Sequence, residues 1–316
     1  MATACLIAAA TAAPTPANAQ DAVGPAAPSR TGAAGLYGMS TTDVGAVRSL
    51  RVALYGDLSR ASDFLVLGDV NTQARAELAA GFTWRRHVEL FGAVRAGWNR
   101  NEQAATPSTG AATSTIGSGG FAVGAKLVTA PRHGLTGGGE LAAGLPFAAG
   151  SWPGSGVAWV TALGALDLAA LTRLPLRAHL SVGYIADGSR TQIDFTGQPA
   201  SARQIAMFAR GMDASRLRFA FGLDAPLEDR TGRLGLHPFA EYHAEIAISG
   251  EDPALSDQSP YNPDRHWLTF GLRARATARV TAMVGGNVTL RQVGIPFGPP
   301  LPPWSVFAGA VVPLQF

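Results

Sequence analysis

W-S-V-F-A-G-A-V-V-P-L-Q-F, residues Trp304–Phe316, closes the sequence and shows its organising pattern most plainly. Every second residue is apolar: Trp304, Val306, Ala308, Ala310, Val312, Leu314 and Phe316. The intervening set is Ser305, Phe307, Gly309, Val311, Pro313 and Gln315. Successive side chains of a strand point to opposite faces. One face of this strand therefore wants hydrocarbon, while the other tolerates polar company.

The same two-residue rhythm runs back to about Val47. Leu50, Val52 and Leu54 alternate with Arg51, Ala53 and Tyr55, and Ala74, Ala76, Leu78, Ala80, Phe82 and Trp84 with Gln73, Arg75, Glu77 and Thr83. After Arg85-Arg86-His87, the apolar positions from Val88 to Trp98 alternate with Glu89, Phe91, Arg95 and Asn99. Phe121–Leu127 is set against Lys126, Leu141–Phe147 against Glu140, and Leu176–Tyr184 against Arg177, His179 and Ser181. Leu217–Leu223 opposes Arg216, Arg218 and Asp224, and Leu236–Ile246 opposes His237, Glu241, His243 and Glu245. Leu268–Ala276 opposes Thr269, Arg273 and Arg275, and Val280–Leu290 opposes Thr281, Asn287, Thr289 and Arg291. Val157–Leu168 is apolar on both faces, and only Asp167 marks an inward set. The count is about twelve strands.

Energetics assign the faces. An arginine facing lipid costs roughly 2–4 kcal/mol near the bilayer midplane, against a net stability of about 5–15 kcal/mol. In a membrane barrel the apolar set must face out. The lumen then receives Arg51, Arg75, Glu77, Glu89, Arg95, Lys126, Glu140, Arg177, Arg216, Arg218, Asp224, Glu241, His243, Glu245, Arg273, Arg275 and Arg291. A soluble, secreted β-sandwich makes the opposite assignment, and periodicity alone does not separate the two. Three features favour the membrane. The segments run to about ten residues or more, where soluble strands average five or six. Trp84, Trp98, Tyr184, Tyr242 and Trp304 sit near the ends of the apolar face, as an interfacial aromatic girdle would. Short joints (Arg85–His87, Ala130–Gly134) alternate with long ones (Leu58–Asn71, Arg100–Ile116, Ala186–Ala214), as short periplasmic turns and long outer loops do. The expected fold is all-β: a closed, antiparallel, up-and-down transmembrane β-barrel over residues 46–316, with both termini periplasmic.

Composition agrees. Charged residues are 15%, below the quarter or so usual for soluble domains. A net charge of +3 and a pI near 9.4 are too mild and too dispersed for nucleic acid. After the start no run of about 18 apolar residues appears, which excludes a membrane helix. Residues 1–19 carry an apolar run ending in Ala17-Asn18-Ala19 and read as a secretory signal peptide without the usual positive start. Cys5 lies inside it, so the mature chain would have no thiol chemistry. Residues 20–45, rich in Ala, Gly and Pro, read as a flexible periplasmic lead-in.

Two resemblances bear on the family. A chain ending on Phe316, with apolar residues at every second position before it, resembles the terminal assembly signal of Gram-negative outer-membrane barrels; Pro313 and the lack of an aromatic at Val312 depart from that signal. Ser62–Asp69 (SDFLVLGD), Val88–Asn101 (VELFGAVRAGWNRN), Leu174–Asp187 (LPLRAHLSVGYIAD), His237–Tyr242 (HPFAEY) and Pro299–Trp304 (PPLPPW) together resemble a myxobacterial-type outer-membrane barrel domain of the kind found ahead of OmpA-like domains. The resemblance spans roughly Gly35–Phe316, and no OmpA-like domain follows in this chain. It implies an envelope location, lipid and the barrel assembly machinery as partners, and no particular substrate.

No grouping carries catalytic chemistry, metal or cofactor. His237, Glu241, His243 and Glu245 share one face, but ligands at alternate strand residues lie about 6–7 Å apart, and pairing with Arg216, Arg218, Arg273 and Arg275 on the flanking strands is the simpler role. Gly117–Gly124 and Gly134–Gly139 lack the Lys-Ser/Thr of a phosphate loop and suit barrel bends. Ile205, Phe208 and Met212 fall at helical spacing, as a surface helix or a lid would. Ten inward basic residues against seven acidic ones (those above plus Asp167) suggest a narrow or gated pore for small solutes with slight anion preference. A non-conducting structural barrel is the alternative.

Overall fold

The computed structural model describes residues 27–62, 68–103, 112–148, 156–172, 174–188, 215–228, 235–248, 264–277, 280–290 and 301–316. Two short strands come first, β1 (Ala27–Pro28) and β2 (Ala34–Gly35), and pair with each other. The wall follows: β3 (Ser49–Ser62), β4 (Asp69–Arg85), β5 (Val88–Gln103), β6 (Ala112–Val128), β7 (Leu135–Ala148), β8 (Val157–Asp167), β9 (Arg177–Asp187) and β10 (Arg216–Asp224). After the two-residue β11 (Leu227–Glu228) come β12 (Gly235–Ala247), β13 (Arg265–Thr277), β14 (Val280–Thr289) and β15 (Trp304–Gln315).

Each wall strand pairs antiparallel with its sequence neighbour, β10 pairs with β12, and β15 returns to β3 with Leu54 opposite Ala310. The result is a closed barrel of 12 strands. Closure leaves no unpaired edge, the condition for a sheet to stand in lipid. The joint after β3, expected over Leu58–Asn71, shrinks to residues 63–68, because the two-residue rhythm of β3 and β4 runs on past the apolar band into polar residues such as Arg60 and Asn71.

The outside is hydrocarbon. Leu54, Leu78, Val94, Phe121, Leu141, Val160, Leu180, Phe219, Phe270, Val284 and Val306 are all exposed. A water-soluble sandwich would bury that set, so the β-sandwich alternative is ruled out. Trp84, Trp98, Tyr184, Tyr242 and Trp304, expected as a girdle, are exposed on this same outer surface, and Phe316 lies just beyond the end of β15. Inward aromatics lie over glycines of the next strand. A Cβ on Gly124 would meet Phe91, one on Gly271 would meet Phe239, and one on Gly285 would meet Phe307.

The lead-in corrects an expectation. Residues 27–43, expected to be part of a flexible segment outside the barrel, fold back into the lumen and are largely buried there. Leu36 and Tyr37 join Phe239, Phe307 and Met283 of the wall in one apolar cluster, and Ala33 joins Phe91 and Trp159 in a second. The plug thus explains why β8 is apolar on both faces: its outer face meets lipid, and Trp159 on its inner face joins the cluster that holds Ala33. The plug runs into the wall at Ser49, beside the short Arg85–Val88 turn, where the Arg48 N–H donates to the Thr83 carbonyl. It therefore fills the half of the lumen nearest the short turns.

Candidate functional site

Sequence logic puts charges on the inner face of every wall strand but the last, and the structure divides them between two places. One group is buried against the plug. Lys126 is the clearest member, fully buried with its Nζ donating to the carbonyls of Ala34 (2.9 Å), Thr41 (3.2 Å) and Asp43 (2.6 Å). Glu89 faces it at 3.2 Å, sits 3.2 Å from Arg51, and accepts the Ala34 N–H at 2.7 Å. Removing two or three charges from water is tolerable only when each meets opposite charge and hydrogen bonds, and this cluster meets that condition with plug backbone. Across the lumen, Arg177 binds Asp224 (2.6 Å) and the plug residue Asp43 (3.1 Å), while His179 binds the other Asp224 oxygen at 2.7 Å. Burial would raise the Asp43 carboxyl, but Arg177, His179 and the Thr41 hydroxyl outweigh it and hold Asp43 well below the usual carboxylate range.

Glu241 departs from the expected pairing with arginine. Its two oxygens accept the plug N–H of Gly38 at 3.1 and 2.9 Å, and one lies 2.6 Å from His243 Nε2. The His243 ring stacks on Trp267, with centroids 4.5 Å apart. Nearer the middle, Tyr37 stacks on Phe307 (3.6 Å, 4°), and the Tyr55 hydroxyl donates to the Pro28 carbonyl. Burial pushes the Tyr37 phenol up to about 12. Glu140 accepts the Trp159 indole N–H at 3.1 Å, and Arg273 lies over the Phe239 ring. Arg275 stands at the short-turn end beside Gly235 and His237.

The other group lines a vestibule of about 420 Å³ above the plug. Its wall comes from the strand ends that lead into the long connections, and its floor from Arg30, Thr31, Tyr37 and Gly38. Arg75, Glu77, Arg95, Arg216, Arg218 and Glu245 are here, joined by Asp57, Asp187 and Arg265, which the alternation reading passed over. Arg218 pairs with Glu245 at 2.7 Å, and Arg265 reaches the same carboxylate at 3.5 Å. Glu77 lies 3.6 Å from Arg95 and 3.7 Å from the plug's Arg30, which is also 3.8 Å from Asp57.

Solved structures share this architecture. An outer-membrane channel from Pseudomonas putida F1 matches with a TM-score of 0.52 at 10% identity, over 86% of this chain and 98% of that one. That likeness shows the fold. The chain folds as outer-membrane barrels do. The translocator domain of the autotransporter NalP from Neisseria meningitidis gives 0.47 at 10% identity over 87% and 91%, and the NanC porin 0.47 at 11% over 83% and 98%. No family model and no curated protein matches the chain.

Arg291 and the helical spacing through Ile205, Phe208 and Met212 lie outside the described residues. Among the described residues no group of His, Cys, Asp and Glu is placed to hold a metal ion. The plug residues Arg30, Tyr37, Gly38 and Asp43 had no signal in the alternation, because they belong to no wall strand. Asp57 and Arg265 did have one: each continues the inward phase of its strand, two residues beyond Tyr55 and two before Trp267.

Proposed function

We propose that the chain is a non-enzymatic outer-membrane barrel, a narrow gated pore that admits small anionic solutes and is held closed by its own N-terminal segment. The observation that carries this is the unequal exposure of the two charges in the vestibule. Arg95, Arg30, Arg218 and Arg265 are 48, 29, 27 and 23% exposed, whereas Asp57, Glu77 and Glu245, which offset them, are 9, 5 and 5% exposed. These three carboxylates sit back in the wall and the four guanidiniums project into the cavity, so a solute meets a surface in which the half-buried Asp187 is outnumbered by cations. A low-dielectric wall of one sign focuses the field and concentrates counter-ions. The long connections then face the exterior, both termini face the periplasm, and Phe316 is read by the barrel assembly machinery. This arrangement suits the myxobacterial-type envelope barrels that the strand blocks resemble.

A second reading is a permanently closed structural barrel. The three carbonyl bonds from buried Lys126 favour it, since a hold of that kind is slow to release. Planar-bilayer recording across a KCl gradient separates the two. The pore reading expects an anion-selective reversal potential that shifts toward cations in Arg95→Glu and Arg218→Glu. A chain that passes no current at any voltage, with or without its plug, supports the structural barrel instead.

A further inference from the structure

We propose that the vestibule holds a binding site for a small dianionic oxyanion, and that the plug completes it: Arg75 and Arg95 hold the anion from the wall, and Arg30 holds it from the plug. This deepens the anion reading of the vestibule given above. Arg75 donates to Gln73 at 3.1 Å and makes no ion pair among the described residues. Among the described residues Arg95 has one long ionic contact, 3.6 Å from its Nε to Glu77. Glu77 is shared with Arg30, and neither of its oxygens accepts a hydrogen bond among the described residues. One buried carboxylate divided between two guanidiniums leaves donors on both for something else.

Register places these donors to converge. Arg75 is opposite Gly97, which puts Arg95 on the diagonal two residues away, a spacing of about 7–8 Å between side-chain origins. A Cβ on Gly97 would lie 3.1 Å from Arg75 Cγ, so the Arg75 side chain leans across β5 into the space that the glycine leaves. Two guanidinium forks closing from that distance suit an oxyanion with several oxygens better than a halide, because each fork donates in parallel. Among the described residues six arginines and four carboxylates line the cavity, an excess of two positive charges that one dianion neutralises. Because Arg30 belongs to the plug, an anion bound by all three arginines ties plug to wall. Linkage then makes the coupling reciprocal: whatever affinity the plug adds to the anion, the anion adds to plug docking.

The test is calorimetric titration of the full chain, folded in detergent, with inorganic sulfate as the probe and chloride at matched ionic strength as the control. Sulfate should bind saturably. Arg75→Gln and Arg95→Gln should each weaken it by at least about tenfold, and Arg30→Gln by at least about fivefold, as expected for charge-assisted bonds to an anion. Arg218→Gln, in the same vestibule but already paired with Glu245, should weaken it less than Arg75→Gln does. Arg100→Gln, outside the vestibule and paired with Glu102, should change affinity less than about threefold and serves as the folded control. Sulfate should also slow hydrogen exchange of the plug amides in the parent chain and not in Arg30→Gln. Chloride competing as well as sulfate, or Arg218→Gln costing as much as Arg75→Gln, would reduce the site to diffuse charge and overturn the proposal. An unaltered affinity in Arg30→Gln would overturn the plug's part in it. Binding is read in detergent and conduction in bilayers, so sulfate binding to a barrel that passes no current sinks the pore reading and leaves this one standing.

Discussion

Replacing Lys126 with Met keeps the length of the side chain and removes the charge that gathers three plug carbonyls. In the parent chain Nζ lies 2.9, 3.2 and 2.6 Å from the carbonyls of Ala34, Thr41 and Asp43. Each such bond to a charged donor is worth about 1.5–3 kcal/mol, but the three share one cation and do not add. Glu89 loses one of two cationic neighbours and keeps Arg51 at 3.2 Å. Breaking a buried pair by removing one partner costs about 3–5 kcal/mol. That corresponds to a shift in plug docking of about two to three and a half orders of magnitude at 1.36 kcal/mol per tenfold. The barrel ladder itself does not involve Lys126 Nζ. Hydrogen exchange in lipid should therefore show the amides of Ala34 and Gly38 opening faster by roughly that factor, with amides of β4 and β5 unchanged. Equal protection of the plug amides in both chains would refute the reasoning, because it would mean the plug is held by packing around Tyr37 and Phe307 alone.

Other perturbations probe the same architecture. Gly32 has a φ of +94° and approaches Gly92 so closely that a Cβ would lie 2.3 Å from its carbonyl oxygen, so Gly32→Ala should expose residues 29–35 to protease without lowering the melting temperature of the barrel; protection at the parent level would contradict the observed seat of the plug. Leu78 points outward from the middle of β4 and is 51% exposed, so Leu78→Arg should lower folding stability in lipid vesicles by roughly 2–4 kcal/mol in a urea titration, and a neutral result would mean that this face does not meet the hydrocarbon. Asp43→Asn removes the plug's ion pair with Arg177 (3.1 Å) and should loosen the plug less than Lys126→Met does, because Arg177 keeps Asp224; an effect larger than that of Lys126→Met would reverse the ranking of the two anchors.

The wall was legible because its physics is local. Two-residue alternation from Leu50 to Phe316 carries the faces, and the cost of arginine in lipid fixes which face is out. The plug was not legible, because its own backbone bonds are a short local turn, such as Ser29 N–H to Ala33 and Arg30 N–H to Tyr37, while the bonds that seat it in the lumen go to side chains of distant strands. Gly32, Ala33, Ala34 and Gly38 look like a tail by composition, yet the same small residues let the chain approach Gly92, Glu241 and His243 closely. Glu241 shows the limit from the other side. Its inward phase and its neighbour His243, two residues on, were readable, but its other partner, the Gly38 N–H, belongs to a segment about 200 residues away, and no spacing rule reaches that far. The apolar inner face of β8, with inward Phe91, Phe307 and Val311 on other strands, was the trace the plug left on the wall pattern.

If residues 27–46 of the chain's own N-terminal segment close the lumen, excising them should open it. Single-channel recording of the excised barrel beside the intact chain in the same bilayer should then show a several-fold larger, anion-selective conductance. Identical conductance in the two proteins would mean that something other than this segment closes the lumen.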